Sequence, residues 1–226
     1  MTFLGVLLAA FAACVALRKP IYHHRKVLFA VTVAIDLAFV VGLTVGMPRA
    51  LWEIFVVLVQ KCTLALALFV VVMYIGVLPK DSKLHRWLDP IRGDLSIVAC
   101  LLALGHMGLY LDVYAPVLME AVGVKGNLVA SFVVALVVFA LLLVLGATSF
   151  VFVKKRMEKT FWKKVQRLAY PFFFLVYVHL MMILLPAAMS GAAKAQMSIA
   201  VYTAVFGVYA VLRVVRAVAD RKTSAS

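Results

Sequence analysis

The sequence predicts an all-α polytopic membrane helix bundle with about seven transmembrane helices. Three observations predict it. Of the 226 residues, 66% are hydrophobic, against roughly 45–50% in an ordinary soluble domain. The mean hydropathy is +1.11. The apolar residues run in stretches of about twenty, the length that crosses a bilayer as a helix, and the charges collect between them. In hydrocarbon the backbone must satisfy its own hydrogen bonds, which leaves helices as the spanning element.

Uncharged apolar length places the spans at 2–17, 27–47, 51–78, 95–115, 128–153, 168–187 and 196–212. The first, Thr2 to Leu17, contains Phe11-Ala12-Ala13-Cys14, which has the look of a lipoprotein cleavage site. The basic n-region of a signal peptide is missing, so this segment reads as a retained span. The second span carries Asp36 and the third Lys61, each about ten residues from its nearer end. Both reach mid-membrane, where an ion pair between them is expected as structural glue. In the functional alternative Asp36 relays a proton and Lys61 holds an acidic cofactor group.

The net charge of +14 would suit nucleic acid if the 23 basic residues were clustered on one domain. Instead they mark alternate loops. Arg18, Lys19, Arg25 and Lys26 follow the first span, and Lys80, Lys83, Arg86 and Arg92 follow the third. Seven more, from Lys154 to Arg167, follow the fifth, and Arg213, Arg216, Arg221 and Lys222 end the chain. The other side holds Arg49, Lys125 and Lys194. The positive-inside rule therefore predicts an inner (cytoplasmic) membrane protein with an external N-terminus and a cytoplasmic C-terminus. Trp52, Trp87 and Trp162 fall near the predicted interfaces, as amphipathic rings should. The basic 154–167 segment reads as an anionic-lipid anchor or a docking site for a cytoplasmic flavoprotein. The expected partner of the whole bundle is the lipid bilayer, and no nucleic acid.

Cys14, Cys62 and Cys100 stand singly in three spans without a CxxC pair, which argues against thiol-disulfide chemistry. No Gly-rich nucleotide loop or soluble catalytic domain is seen. Whatever chemistry the chain performs is expected inside the membrane.

Five histidines occur. His23, His24 and His85 lie in basic loops; for His23 and His24, beside Arg25 and Lys26, solvated interfacial residues are the plain reading and a quinone-headgroup or electron-entry site the sharper one. His106 and His179 lie inside spans four and six, where an imidazole is costly unless partnered. His106 follows Arg92 by fourteen residues and His179 follows Gln166 by thirteen. At 1.5 Å per residue both sit roughly 20 Å above the basic boundary on parallel helices. Two histidines at one depth are what bis-histidine ligation of a haem iron requires. On helical spacing Arg92, Ser96, Ala99, Ala103, His106 and Tyr110 form one polar or small-residue stripe. The stripe could leave room for a flat macrocycle or bring two helices together around a hydrogen-bonded histidine; spacing alone leaves both open. Gln166 and His179 would share a face only on a distorted helix, and Pro171 is the expected source of distortion.

Trp162-Lys163-Lys164-Val165-Gln166-Arg167-Leu168-Ala169-Tyr170, followed by His179, resembles the W-x-x-L-H-R-L-x-Y…H pattern of the ferric reductase-like transmembrane domain family. It is most similar to the MsrQ (YedZ) branch of haem-binding membrane subunits. The Arg92-to-His106 spacing is similar to that branch's R-R-x-L-G…H helix. The resemblance covers about residues 20–215. It implies an extra N-terminal helix (1–19), a six-helix haem-binding core (20–217) and a cytoplasmic tail (218–226). It also implies haem b held by His106 and His179. The chain departs from the family at Gln166, where the family has histidine, and at Arg92, where two-haem members have another. Neither can ligate iron, so the resemblance implies one haem, with Arg92, Gln166 and Lys61 as further cofactor contacts and quinone or flavin as additional cofactor candidates.

The expected function is that of a membrane b-type cytochrome, an electron-transfer subunit rather than a stand-alone enzyme. A quinol or cytoplasmic reductase would supply electrons, and an extracytoplasmic reductase or flavoprotein would accept them. The alternative is a non-redox polytopic protein, a small transporter or scaffold, with structurally satisfied histidines.

Overall fold

The computed structural model describes residues 3–119 and 126–225; Lys125, one of the three basic residues of the sparse side, lies outside them. The described chain is helical without a strand. Its elements are α1 (Phe3–Ala16), α2 (Arg18–His23), α3 (Arg25–Val45), α4 (Arg49–Phe55) leading into a π-helical turn (Val56–Gln60), and α5 (Thr63–Ile75). There follow α6 (Lys83–Leu88), a 3-10 turn (Asp89–Ile91), α7 (Arg92–Met119), α8 (Gly126–Ser149), α9 (Val151–Arg156), α10 (Lys159–Gln166), α11 (Ala169–Met189) and α12 (Ala193–Ala225). Among the described residues five helices are long and apolar enough to cross a membrane, and the α4–α5 pair supplies a sixth crossing if its two halves are one span. The fold is an all-α multi-pass membrane bundle.

The apolar core centres on α5, which is buried on nearly every side; Ala65 and Ala67 have no exposed surface. A helix that is apolar all round belongs in the middle of a bundle. On one side α5 packs against α1 and α7. On the other, its Leu66, Val70 and Met73 join Phe173 of α11 and Tyr202, Phe206 and Tyr209 of α12 in a second cluster. The outer helices keep large apolar side chains on their surface, such as Leu37, Phe174 and Val211. Lipid is the solvent that makes such a surface stable.

The spans differ in detail from their sequence outlines. At 14 residues, α1 is about 21 Å long, short of the roughly 30 Å hydrocarbon core. At the other end α12 continues as one helix of 33 residues, about 50 Å, so the tail from Val218 extends the last span. The third span is broken: the α4 and α5 segments meet at 41°, with Cys62 in left-handed backbone at φ 56°. The cause lies in Gln60-Lys61-Cys62-Thr63, four residues without a large apolar side chain in the middle of an apolar run.

The broken turn is satisfied locally. Lys61 N–H reaches back to Val56 O (2.9 Å) and Cys62 N–H to Val59 O (2.8 Å). The Thr63 hydroxyl donates to Val57 O, the acceptor a continuous helix would have given to Lys61. Side chains and local π geometry thus replace the lost ladder, the condition for an irregular turn at membrane depth.

Antiparallel contacts order the other helices. Early in α7, Cys100 meets Leu142 and Gly146 late in α8. Early in α8, Ser131 meets His179 midway along α11. It follows that α7 and α11 run in the same direction, each packed on α8.

Candidate functional site

His106 lies on α7 and His179 on α11, two helices that run in the same direction and both pack on α8. Each ring is half-buried and held through Nδ1. His106 Nδ1 lies 2.6 Å from Gln60 O, a carbonyl released by the break between the α4 and α5 segments. His179 Nδ1 lies 3.2 Å from Ser131 O on α8, with the Ser131 hydroxyl at 3.4 Å. A carbonyl only accepts, so in each contact the imidazole Nδ1–H donates, and Nε2 keeps its lone pair. Neither Nε2 has a hydrogen-bond partner among the described residues. Sequence reasoning missed Gln60 and Ser131, because both act mainly through the backbone. The available signal was the polar run at 60–63.

This donor set suits a particular kind of ligand. A histidine whose Nδ1–H is anchored on a carbonyl has a fixed tautomer, a defined ring orientation and a more basic Nε2, which is the usual state of a metal-bound imidazole. A free metal ion asks for three or four such side chains, and among the described residues no group of three His, Cys, Asp or Glu converges. A haem iron would ask the protein for only two such side chains, and His106 and His179 would be the residues to hold it.

The rest of the stripe on α7 packs. Ala99 and Ala103 are buried in the same cluster as Ala65 and Ala67 of α5, so these small residues bring two helices together. Above them the His106 ring contacts Tyr110, with centroids 4.7 Å apart.

Asp36 and Lys61 do not form the expected pair. The helix breaks at Lys61 and delivers its side chain to the surface. Asp36 instead packs on α7 over Gly105, where a Cβ would stand 2.6 Å from its Oδ1. That oxygen is sealed from the surface without a hydrogen-bond partner among the described residues. The structure thus places Asp36 beside the residue preceding His106 and leaves Lys61 outside this site.

Arg92 and Gln166 are brought together at the other end, lining one small cavity with Gly76, Tyr170, Tyr209 and Arg213. Gln166 is anchored by its Nε2–H to Thr148 Oγ1 (2.9 Å), and the Trp162 indole N–H donates to Thr148 O (2.9 Å). The carboxamide therefore joins α10 to the end of α8. The distortion expected of Pro171 lies four residues earlier, at Arg167–Leu168, where α10 ends. Proline has no N–H for Arg167 O and its ring crowds that carbonyl, so Tyr170 N–H takes it at 3.1 Å.

Of the remaining histidines, His23 Nδ1 contacts Lys19 O and His85 Nδ1 contacts Ile75 O. His24 is exposed. None is gathered with another polar group into a site. Cys14, Cys62 and Cys100 are free thiols, the first and last buried.

Fold and site together define a class: a multi-pass helical membrane protein with two half-buried imidazoles, on helices that run in the same direction, each anchored through Nδ1 on a backbone carbonyl. No family model matches the chain, and no solved structure matches it. It is similar to an uncharacterized protein of Treponema pallidum (strain Nichols), with 35% identity over 228 residues covering 98% of this chain and 62% of that protein. The chain thus spans about three fifths of that relative's length.

Proposed function

We propose that this chain is a membrane b-type cytochrome of the ferric reductase-like kind, carrying electrons through the bilayer by way of one bis-histidine haem. The observation that carries the reading is the pair of imidazoles on parallel helices, each with Nδ1–H committed to a carbonyl and Nε2 left as a ligand. A purely structural role would account for the two Nδ1 contacts but leaves both Nε2 lone pairs without a use. Haem b, when bound, supplies an iron that takes up and gives back one electron.

The chain's own residues do the rest. His106 and His179 would hold the group in place, while Gln60 O and Ser131 O fix the tautomer and plane of each ring. Val176 and Leu180, close to His179 on α11, pack on the apolar cluster that α5 and α12 share. In this reading the basic loops are cytoplasmic and the N-terminus external. Electrons come from a quinol or a separate cytoplasmic reductase and leave to an extracytoplasmic reductase or flavoprotein.

The test is the absorption spectrum of the purified protein, air-oxidised and then dithionite-reduced. The expected result is one low-spin b-type haem per chain, with the reduced bands abolished in His106→Ala and in His179→Ala and kept when His23, His24 or His85 is replaced. A protein that remains without bands after reconstitution with haem would overturn the cytochrome reading in favour of a non-redox membrane protein.

A further inference from the structure

The basic end of the bundle holds a second polar feature. Arg92, the first residue of α7, and Arg213 of α12 line one cavity of about 40 Å³. Among the described residues lining it there is no carboxylate. Asp94, the acid nearest in sequence, has Arg25 as its charged neighbour. Tyr209 lines the same cavity, which gathers two like charges and one phenol around a single small space. That arrangement is self-repelling unless an anion lies between them.

The positions of both arginines are built. Arg213 Cζ stands 4.6 Å from the centroid of Tyr170, a cation–π contact that restrains the guanidinium. Arg92 Nη2 occupies the space over Gly76, where a Cβ would lie 2.9 Å from it. Gly76 has ordinary right-handed backbone, φ −69°, so the turn itself does not need glycine. The missing side chain makes room for the arginine.

We infer that this cavity binds a phosphate group, held by the guanidiniums of Arg92 and Arg213 with the Tyr209 hydroxyl as a further donor. Planar guanidinium forks match the oxygens of phosphate. The volume is far below the roughly 300–1,000 Å³ of a pocket for a drug-sized ligand or cofactor. It admits one tetrahedral oxyanion and excludes a nucleotide or a porphyrin. The cavity lies at the basic end of the bundle, so the phosphodiester of an anionic phospholipid is one source and inorganic phosphate the other. The inference stands apart from the haem reading.

Thermal unfolding of the purified full-length chain in detergent tests it, titrated separately with short-chain phosphatidylglycerol, inorganic phosphate and a phosphate-free monoacylglycerol. Saturable stabilisation is expected from a phosphate-bearing probe and none from monoacylglycerol, with apparent affinity weakened about ten-fold or more in Arg92→Gln and in Arg213→Gln. Lys163→Gln, a surface change, should keep the wild-type response. A response to phosphatidylglycerol alone identifies the lipid phosphodiester, and a response to inorganic phosphate as well identifies a free-phosphate site. If the glutamine variants fail to fold, Gly76→Ala displaces the Arg92 guanidinium without removing a charge and should weaken the same response. No saturable stabilisation by either phosphate probe, or a wild-type response in the arginine or Gly76 variants, overturns the proposal.

Discussion

The contact between Gly146 of α8 and Cys100 of α7 sets how closely these helices approach, and α8 in turn carries Ser131, the anchor of His179. A Cβ built on Gly146 would stand 2.3 Å from Cys100 Sγ and 3.4 Å from Cys100 Cβ. Ordinary contact is about 3.5–4.0 Å, so in Gly146→Ala the sulfur or a helix must move by more than about 1 Å. Overpacking of this kind costs typically 1–3 kcal/mol. Here the thiol can rotate toward an apolar hollow of about 180 Å³ that Cys100 and Gly146 both line, which puts the expected cost near the low end, about 1 kcal/mol. Cys100→Ala removes the sulfur and leaves only the 3.4 Å contact, so the double variant should recover most of that loss. The assay is denaturant unfolding in mixed micelles followed by tryptophan fluorescence, read as a double-mutant cycle with a coupling of about 1 kcal/mol. A neutral Gly146→Ala, or single-variant costs that simply add, would refute the close approach at this pair.

Three further outcomes are expected. Lys61→Met should not destabilise the protein in the same unfolding assay, because the side chain is exposed and unpaired with Asp36; a loss of several kcal/mol would restore the mid-membrane ion pair. Ser131→Ala should keep the reduced haem bands and lose no more than about 1 kcal/mol, since the carbonyl bond to His179 survives and only the 3.4 Å hydroxyl contact is lost. Abolished bands would show that the hydroxyl, not the carbonyl, orients the ring. Reporter fusions should place Lys159 in the cytoplasm and Gly191 outside, and an external signal at 159 would reverse the proposed orientation.

Composition and charge placement by themselves determined the fold class: an apolar surplus this large needs lipid, and lipid forces helices. Uncharged apolar length also delimited most spans to within a few residues, because solvent decides where a membrane helix ends. Hydropathy had no means of seeing the break at Lys61–Cys62, since a window averages over the four residues that cause it. Only the tertiary structure decided what that break does. It frees Gln60 O to hold His106, and it turns Lys61 to the surface while Asp36 settles over Gly105. The candidate residues His106, His179, Arg92 and Gln166 were legible as residues, because polar side chains stand out in an apolar chain. Their partners were not, because a backbone carbonyl has no letter of its own, and which carbonyl an imidazole meets depends on helices 46 and 48 residues away. The two ends of the bundle were equally hidden: that Arg92 shares a cavity with Arg213 follows from the packing of α7 and α12 around α5, a contact between distant segments that no local pattern encodes.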